Sequence, residues 1–145
     1  MPPWKETALE MLPEMADAIS RSDSPYSLWA DINNAFDGAY DCEPQDESFI
    51  RRTYEFYLWC AQAPRGETAT DDLLTCVVVC FLEHIPEHPK ARADMPRWFS
   101  YQDFIGMERT FRYHLSEQDF LDLKQLFYRN RKSYVQHRSK KSSHA

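Results

Sequence analysis

Apolar residues recur along this chain at steps of three and four positions, which is the spacing of one face of an α-helix. The clearest stripe consists of Leu28, Ile32, Phe36 and Ala39. Ser24 and Pro25 stand directly before it. Serine is a favoured N-cap residue, and proline suits the first helical position because an N–H there has no helical partner. The pattern therefore predicts a helix that begins at Pro25, with Gly38 near its end.

Similar stripes predict helices on both sides of this one. The N-terminal stripe consists of Leu9, Leu12, Met15, Ala16 and Ile19. Pro13 interrupts it, and proline cannot continue the hydrogen bonds of a helix, so a kink or two short helices are expected. Asp46 is the expected N-cap of a further helix, which should end before the Pro-Arg-Gly sequence at residues 64–66.

A long apolar segment over residues 73–85 predicts the central helix of the fold, with Thr70 as its opening residue. The segment is apolar on all sides, as expected of a helix surrounded by others. A buried strand is the competing interpretation, because residues 77–79 are three consecutive valines. The helix is favoured because the segment exceeds ten residues. Residues 86–96 contain three prolines and are expected to form a loop.

Two serines mark the starts of the remaining helices. Ser100 with Asp103 resembles a capping box, and Ser116 with Asp119 repeats the signal. The predicted fold class is therefore all-α, an irregular antiparallel bundle of five to six helices. Residues 1–136 are expected to form a single helical domain, followed by a basic, disordered tail at residues 137–145.

Composition excludes several classes of protein. Hydrophobic residues make up 43% of the 145 positions and aromatic residues 14%, which is too apolar for an intrinsically disordered chain. There are only three glycines, and neither the dinucleotide-binding GxGxxG pattern nor a P-loop occurs. The N-terminal stretch lacks the apolar run of a secretion signal, and no segment suits a membrane span. A cytoplasmic protein is therefore expected.

The formal net charge of −6 is unevenly distributed along the chain. Residues 1–50 contain eleven acidic side chains against Lys5 and Arg21, whereas the last seventeen residues contain six basic side chains and none that is acidic. An acidic region attracts basic proteins and repels nucleic acids. The predicted binding residues of an acidic face are Asp31, Asp37 and Asp41.

A second candidate interface is the segment Asp-Met-Pro-Arg-Trp-Phe at residues 94–99. Arginine and tryptophan are among the residue types most enriched in interface hot spots, so Arg97 and Trp98 are further candidate binding residues. The competing interpretation is that the tryptophan fills the core beneath it.

One predicted helix face combines cysteine and histidine. Cys76, Cys80 and His84 follow one another at steps of four, and His88 lies just beyond them. Thiolate and imidazole groups are preferred zinc ligands, so these four residues form an alternative metal site. The competing interpretation is that both cysteines are small apolar core residues, and eight helical residues span about 12 Å. The main prediction therefore includes no metal and no cofactor.

Paired glutamate and histidine residues suggest acid–base chemistry as another alternative. Glu83 precedes His84, and Glu87 precedes His88. A carboxylate beside an imidazole can orient a general base, and His114 is a further candidate for such a site. The HExxH zinc motif is absent, and no nucleophile can be placed nearby. A protein without catalytic residues is therefore favoured over a small metal-dependent or acid–base enzyme.

Three segments together resemble a small bacterial family of all-helical proteins of unknown function. They are Leu-Trp-Ala-Asp-Ile-Asn at residues 28–33, Val-Val-Val-Cys-Phe-Leu-Glu-His at 77–84 and Asp-Met-Pro-Arg-Trp at 94–98. The resemblance covers residues 8–128. Members of this family are associated with toxin–immunity neighbourhoods, so the resemblance implies a bacterial protein with an immunity-type role. It implies no catalytic residue.

The leading hypothesis is a non-enzymatic protein-interaction domain that binds a basic protein partner through its acidic face. The enzyme at Glu83, His84 and His88 is the second hypothesis. The third is a nucleic-acid-associated protein that acts through the basic residues of 129–141. The acidity of the rest of the chain disfavours this third hypothesis. No membrane partner is expected, and the formation of a homo-oligomer stays open.

Overall fold

The computed structural model describes residues 1–133, in which all regular elements are helical. The α-helices are α1 (Pro3–Met11), α2 (Ala16–Arg21), α3 (Pro25–Asp41), α4 (Glu47–Ala61), α5 (Leu73–Val77), α6 (Pro89–Asp94), α7 (Tyr101–Gly106), α8 (Glu108–Arg112) and α9 (Glu117–Arg129). Shorter elements are the 3-10 turns Pro13–Met15, Ile85–Glu87 and Met95–Arg97 and the π-helical segment Val78–Leu82. The all-α class is confirmed, but the helices are shorter and more numerous than expected. The predicted tail at residues 137–145 lies outside the described residues.

Local capping explains where the longer helices begin. The hydroxyl of Ser24 accepts a hydrogen bond from the backbone N–H of Ser27 at the start of α3. Asp46 accepts from the N–H of Phe49 at the start of α4. Each cap satisfies a backbone donor that the first turn of a helix leaves without a partner, and both predicted caps are confirmed.

The two serine signals of the later helices are confirmed as well. At α7, Ser100 accepts from the N–H of Asp103, and Asp103 accepts in return from the N–H of Ser100, each at 2.9 Å. Ser116 accepts from the N–H of Asp119 at the start of α9. The helix predicted to start after Ser100 is nevertheless broken at Met107 into α7 and α8, because the backbone of Met107 leaves the helical region.

Proline has opposite effects in two parts of the chain. Pro13 separates α1 from α2, so the structure has two short helices, the second of the two expected outcomes. The predicted loop at residues 86–96 is wrong, because Pro86, Pro89 and Pro96 each stand in the first turn of a helical element. Proline is well tolerated there, where its missing N–H breaks no helical bond. His88 caps α6, since its Nδ1 accepts from the N–H of Ala91 at 3.4 Å.

The predicted central helix is helical but differs in length and in its cap. Asp72, not Thr70, is the N-cap of α5, and its carboxylate accepts hydrogen bonds from the N–H and hydroxyl of Thr75. Its other oxygen accepts from the N–H of Gly66 at 2.9 Å. The α-helix ends at Val77 and continues as the π-helical segment Val78–Leu82.

The chain divides into two compact units at this point, and the first unit is Met1–Leu82. Its core is an aromatic cluster supplied by α3, α4 and the π-helical segment. The ring centroid of Phe81 lies 5.0 Å from that of Trp29 and 4.9 Å from that of Phe36. Trp29 also stacks on Phe56 at 5.3 Å. These side chains are almost completely buried, so they supply much of the apolar area that stabilises this unit.

The second unit begins at Glu83, and its residues 83–133 are described. Phe104 is the centre of its core and stacks on Phe127 with ring centroids 4.5 Å apart and on Phe120 at 5.6 Å. Helices α7 and α9 pack together, and α8 packs against the 3-10 turn Ile85–Glu87. The contact between α8 and this turn positions His114, which follows α8 in the chain. Among residues 1–133, no helix has both the length and the apolar character needed to cross a membrane.

Candidate functional site

An acidic corner lies between α3 and α4 in the first unit. We define it as residues 41–48, all of which are exposed. It contains four acidic residues, Asp41, Glu43, Asp46 and Glu47, and no basic residue. Asp46 is partly committed to capping α4. The four carboxylates together make the corner a concentrated patch of negative charge.

Asp41 strengthens this negative potential because of its position in the backbone. It is the last residue of the 17-residue helix α3, whose final turn contains no basic side chain. The C-terminus of a helix carries a partial negative charge, so an acidic residue there is locally unfavourable. A residue that breaks a local stability rule at an exposed position is a candidate for a functional role.

A shallow depression of about 350 Å³ lies beside the acidic corner. Met15, Ala35 and Phe49 supply apolar lining, and Glu14 and Asp46 supply carboxylates. Lysine and arginine combine an apolar stem with a charged head. The depression therefore has the chemistry to accept a long basic side chain.

The three predicted acidic residues are placed differently. Asp31 is exposed on α3 and lies about 80° around the helix from Asp41, so the two share its solvent face. Asp37 is half-buried, and its Oδ1 atom is buried. Charge changes at Asp31 and Asp41 should therefore test the acidic face with less effect on folding than a change at Asp37.

A second cluster, in the second unit, gathers histidine and glutamate side chains. His84 Nδ1 lies 3.2 Å from Glu87 Oε1, and His114 Nδ1 lies 3.6 Å from the same oxygen. The two imidazole rings stack with centroids 4.5 Å apart and planes 18° apart. Glu83 Oε1 lies 3.6 Å from the other ring nitrogen of His114, Nε2. We call these four residues the His–Glu cluster.

The backbone explains how the cluster forms. Glu83 and His84 precede the 3-10 turn Ile85–Glu87, and Glu87 is its last residue. His114 follows α8, which packs against this turn.

Comparison with known protein families, curated proteins and solved structures finds no match.

The alternative metal set proposed from the sequence is corrected by this arrangement. Within residues 1–133, the one group whose ligand atoms converge is His84, Glu87 and His114, which contains neither cysteine. The Cys76 thiol donates to the carbonyl oxygens of Ala69 and Thr70, at 3.5 and 3.4 Å.

The buried cysteines behave as core residues. Cys60, Cys76 and Cys80 are buried, and the Cys80 thiol donates to the carbonyl oxygen of Tyr26. Burial raises the pKa of Cys60 to about 12 and that of Cys76 to about 11. The fourth predicted ligand, His88, caps α6 instead. The spacing of Cys76 and Cys80 is therefore explained by burial in the core and by hydrogen bonds from both thiols to backbone carbonyl oxygens.

Arg97 and Trp98 form a local network around Asp94. Arg97 Nε lies 2.7 Å from Asp94 Oδ1, and the indole N–H of Trp98 donates to Asp94 Oδ2 at 3.2 Å. The Arg97 guanidinium also lies over the Trp98 ring, 5.0 Å from its centroid. This network holds the 3-10 turn Met95–Arg97, and an interface role for the pair stays a prediction.

The basic C-terminal segment is described only in part. Arg129, Arg131 and Lys132 are exposed, whereas Arg138, Lys140 and Lys141 lie outside the described residues. The Arg131 guanidinium lies over the exposed ring of Tyr128, 3.9 Å from its centroid. The nucleic-acid hypothesis therefore stays a prediction.

Sequence reasoning had missed Glu43, Asp46 and Glu47 as members of one exposed patch. Their signal was present, because four acidic residues occur within seven positions between two helices. The convergence of His114 with Glu87 had no local signal, because 27 residues separate them in the chain.

Proposed function

We propose that the protein is a non-enzymatic, cytoplasmic protein-interaction domain that binds a basic protein partner through the acidic corner. The observation that carries this proposal is the run of eight exposed residues with four acidic side chains and no basic one. Asp31, on the solvent face of α3, extends the acidic surface. The bacterial and immunity-like setting rests on the family resemblance.

The charge of the whole first unit supports the proposal. Residues 1–82 contain fifteen acidic and five basic side chains, a net charge of −10, within a chain whose net charge is −6. A field of one sign steers oppositely charged proteins toward the surface and accelerates association. Salt screens such a field, so the rate of association should fall as ionic strength rises.

The depression beside the corner supports a lysine or arginine of the partner as the central contact. Its apolar lining can pack the stem of that side chain while Asp46 and the other carboxylates of the corner attract the cationic head, since Glu14 is paired with Arg52. An acidic patch alone would attract any cation. An apolar depression next to it adds a shape requirement, which favours a folded or extended protein segment as the ligand.

The first experiment measures binding of a short, fluorescent lysine-rich peptide by anisotropy, at low and at high salt. The test variant is Asp41→Lys with Glu43→Lys, which reverses two charges in the corner. The matched control is Glu6→Lys with Glu67→Lys, which makes the same change in net charge at exposed positions outside the corner. We expect the corner variant to bind about tenfold more weakly than the control, a difference of roughly 1.4 kcal/mol.

Two outcomes would contradict the proposal. If both double variants lose affinity equally, net charge alone explains the binding and the corner has no special role. If binding does not change with salt, the interaction is not electrostatic. Loss of folding is not expected to obscure the result, because Asp41 and Glu43 are both exposed and lysine suits the negative end of α3.

The enzyme hypothesis is favoured by one observation, which is the convergence of Glu83, His84 and His114 in the His–Glu cluster. A carboxylate beside an imidazole is the arrangement that a general base requires. His88 contributes its ring nitrogen to the cap of α6, so His114 replaces it in this hypothesis. If an enzymatic activity is found and the double variant His84→Ala, His114→Ala retains it in full, the enzyme hypothesis at this cluster is rejected.

A further inference from the structure

We propose that His84, Glu87 and His114 bind one divalent transition-metal ion, for which zinc is the probe. This inference does not rest on the proposed protein-binding function, because the cluster belongs to the second unit and the acidic corner to the first. Two imidazole nitrogens and one carboxylate oxygen are a ligand set that zinc and its neighbours favour. The ligand atoms of the three side chains all lie within 4.8 Å of one another.

The spacing of these atoms suits a shared ion. Zinc–nitrogen and zinc–oxygen bonds of about 2.0–2.1 Å in a tetrahedron place neighbouring ligand atoms roughly 3.3 Å apart. The distance between His84 Nδ1 and Glu87 Oε1 is 3.2 Å, and that between His114 Nδ1 and the same oxygen is 3.6 Å. Both distances are within a few tenths of an ångström of the tetrahedral value. The two rings are nearly parallel, so one imidazole must rotate before both Nδ1 lone pairs point at one ion.

Glu83 has the position of a supporting carboxylate. A metal-bound histidine usually directs its second ring nitrogen to a carboxylate, which fixes the tautomer and makes the ligand more basic. In His114, Nδ1 faces Glu87 while Nε2 lies 3.6 Å from Glu83 Oε1. The Glu83 side chain is only 16% exposed, which limits competition from water. In the proposed site, Glu83 would therefore orient His114, and His114 would bind the metal through Nδ1.

The main competing explanation for the proximity of these four side chains is ion pairing between protonated histidines and the two glutamates, without a metal. Protonated imidazoles would attract Glu83 and Glu87 without any metal. Zinc binds neutral imidazoles, so it would compete with protons for the same ring nitrogens. Three protein ligands leave a fourth position for water, as in zinc sites that perform chemistry.

The test is a calorimetric titration of zinc into metal-free, untagged, full-length protein. We expect one zinc ion per chain. We expect this binding to be lost in His84→Ala and in His114→Ala. Glu83→Gln should weaken it about 10- to 100-fold, as loss of a supporting carboxylate does. Affinity should also fall on acidification, since protons compete with zinc for the imidazole nitrogens.

His88→Asn is the matched control. His88 lies in the same segment, but it caps α6, a role that asparagine can fill. This variant should bind zinc as the unmodified protein does. Zinc should shift the ring resonances of His84 and His114 in nuclear magnetic resonance spectra and leave those of His88 in place. This measurement locates the ion even if an alanine variant fails to fold.

Either of two results would overturn the proposal. One is the absence of stoichiometric zinc binding by the unmodified chain, which would favour ion pairing without a metal. The other is zinc binding that survives unchanged in the folded double variant His84→Ala, His114→Ala, which would place the ion elsewhere. Neither result bears on the acidic corner, whose test uses a peptide and no metal.

Discussion

Arg52 binds Glu14 through two parallel contacts, with Nη1 2.6 Å from Oε1 and Nη2 2.8 Å from Oε2. The same guanidinium donates to the carbonyl oxygen of Met11 at 2.9 Å, and its Nε donates to the hydroxyl of Ser48 at 3.0 Å. One side chain of α4 thereby holds the end of α1 and the 3-10 turn that follows it. This contact also forms one side of the depression beside the acidic corner, because Glu14 lines it.

The Arg52–Glu14 pair predicts a pH-dependent contribution to stability. The hydrogen bond from Arg52 lowers the pKa of Glu14 below its ordinary value of 4.5. The stabilisation is therefore complete above that ordinary value, and it is lost as the pH falls through the lowered pKa of the folded protein. Glu14→Gln should cost up to about 1 kcal/mol at neutral pH, because the pair is partly exposed to solvent.

Urea unfolding at neutral and at strongly acidic pH measures this effect. The difference between the unmodified protein and Glu14→Gln should shrink on acidification. Glu10→Gln, an exposed change on the neighbouring helix α1, serves as the control and should alter stability little at either pH. A Glu14→Gln deficit that stays constant with pH would show that the charge of Glu14 is not the cause.

Gly66 and Gly38 should respond in opposite directions to alanine. A Cβ atom at Gly66 would lie 2.6 Å from the carbonyl carbon and oxygen of Asp71 and 2.7 Å from the nitrogen of Asp72. The loop must move to accommodate it, which endangers the bond from Gly66 to Asp72 and should cost about 1–3 kcal/mol. At Gly38 nothing lies within 4 Å, so alanine should stabilise α3 by about 0.5–1 kcal/mol. Chemical denaturation of both variants checks this contrast, and equal effects would contradict it.

Phe81 should be among the most sensitive core positions of the first unit. It is fully buried and contacts the rings of Trp29, Phe36 and Tyr54. Phe81→Ala should lower the free energy of unfolding by about 3–5 kcal/mol, because it leaves a cavity among these rings. Tyr26→Ala, at a side chain that is 42% exposed, is the control and should change it by about 0.5 kcal/mol or less. Thermal or urea unfolding provides the comparison.

The four cysteines should react with a thiol reagent in two classes. Cys42 is exposed in the acidic corner, whereas Cys60, Cys76 and Cys80 are buried. The raised pKa values of Cys60 and Cys76, about 12 and 11, further reduce the population of reactive thiolate. Native protein should therefore modify at one thiol and denatured protein at four, with Cys42→Ser removing the native reaction. Rapid reaction of a second thiol would indicate that the core opens readily.

The helix starts that the sequence predicted correctly are those fixed by a hydrogen bond between residues close together in the chain. Ser24, Asp46, Ser100 and Ser116 were identified as caps from the sequence, and each accepts the expected backbone hydrogen bond. A cap needs only a side-chain oxygen and an N–H three residues later. The start at Pro89 was missed because its cap, His88, is not among the usual capping residues.

Tertiary structure decided which acidic and histidine side chains lie together. Periodicity could not show that Asp37 is half-buried while Asp31 is exposed on the same helix, because that depends on what packs against α3. His84 and Glu87 are three positions apart, so their proximity was available from a helical turn. His114 joins them only because α8 packs against the turn that contains Glu87.

By itself, the sequence determined the all-helical class, the caps and the apolar stripes, because each depends on bonds or spacings within a few residues. The tertiary structure decided that the Cys76 and Cys80 thiols face backbone carbonyls and that His114 reaches Glu87. The physical reason is the same in each case. Backbone hydrogen bonds and caps act over one helical turn, whereas the contact between distant side chains depends on how whole helices pack.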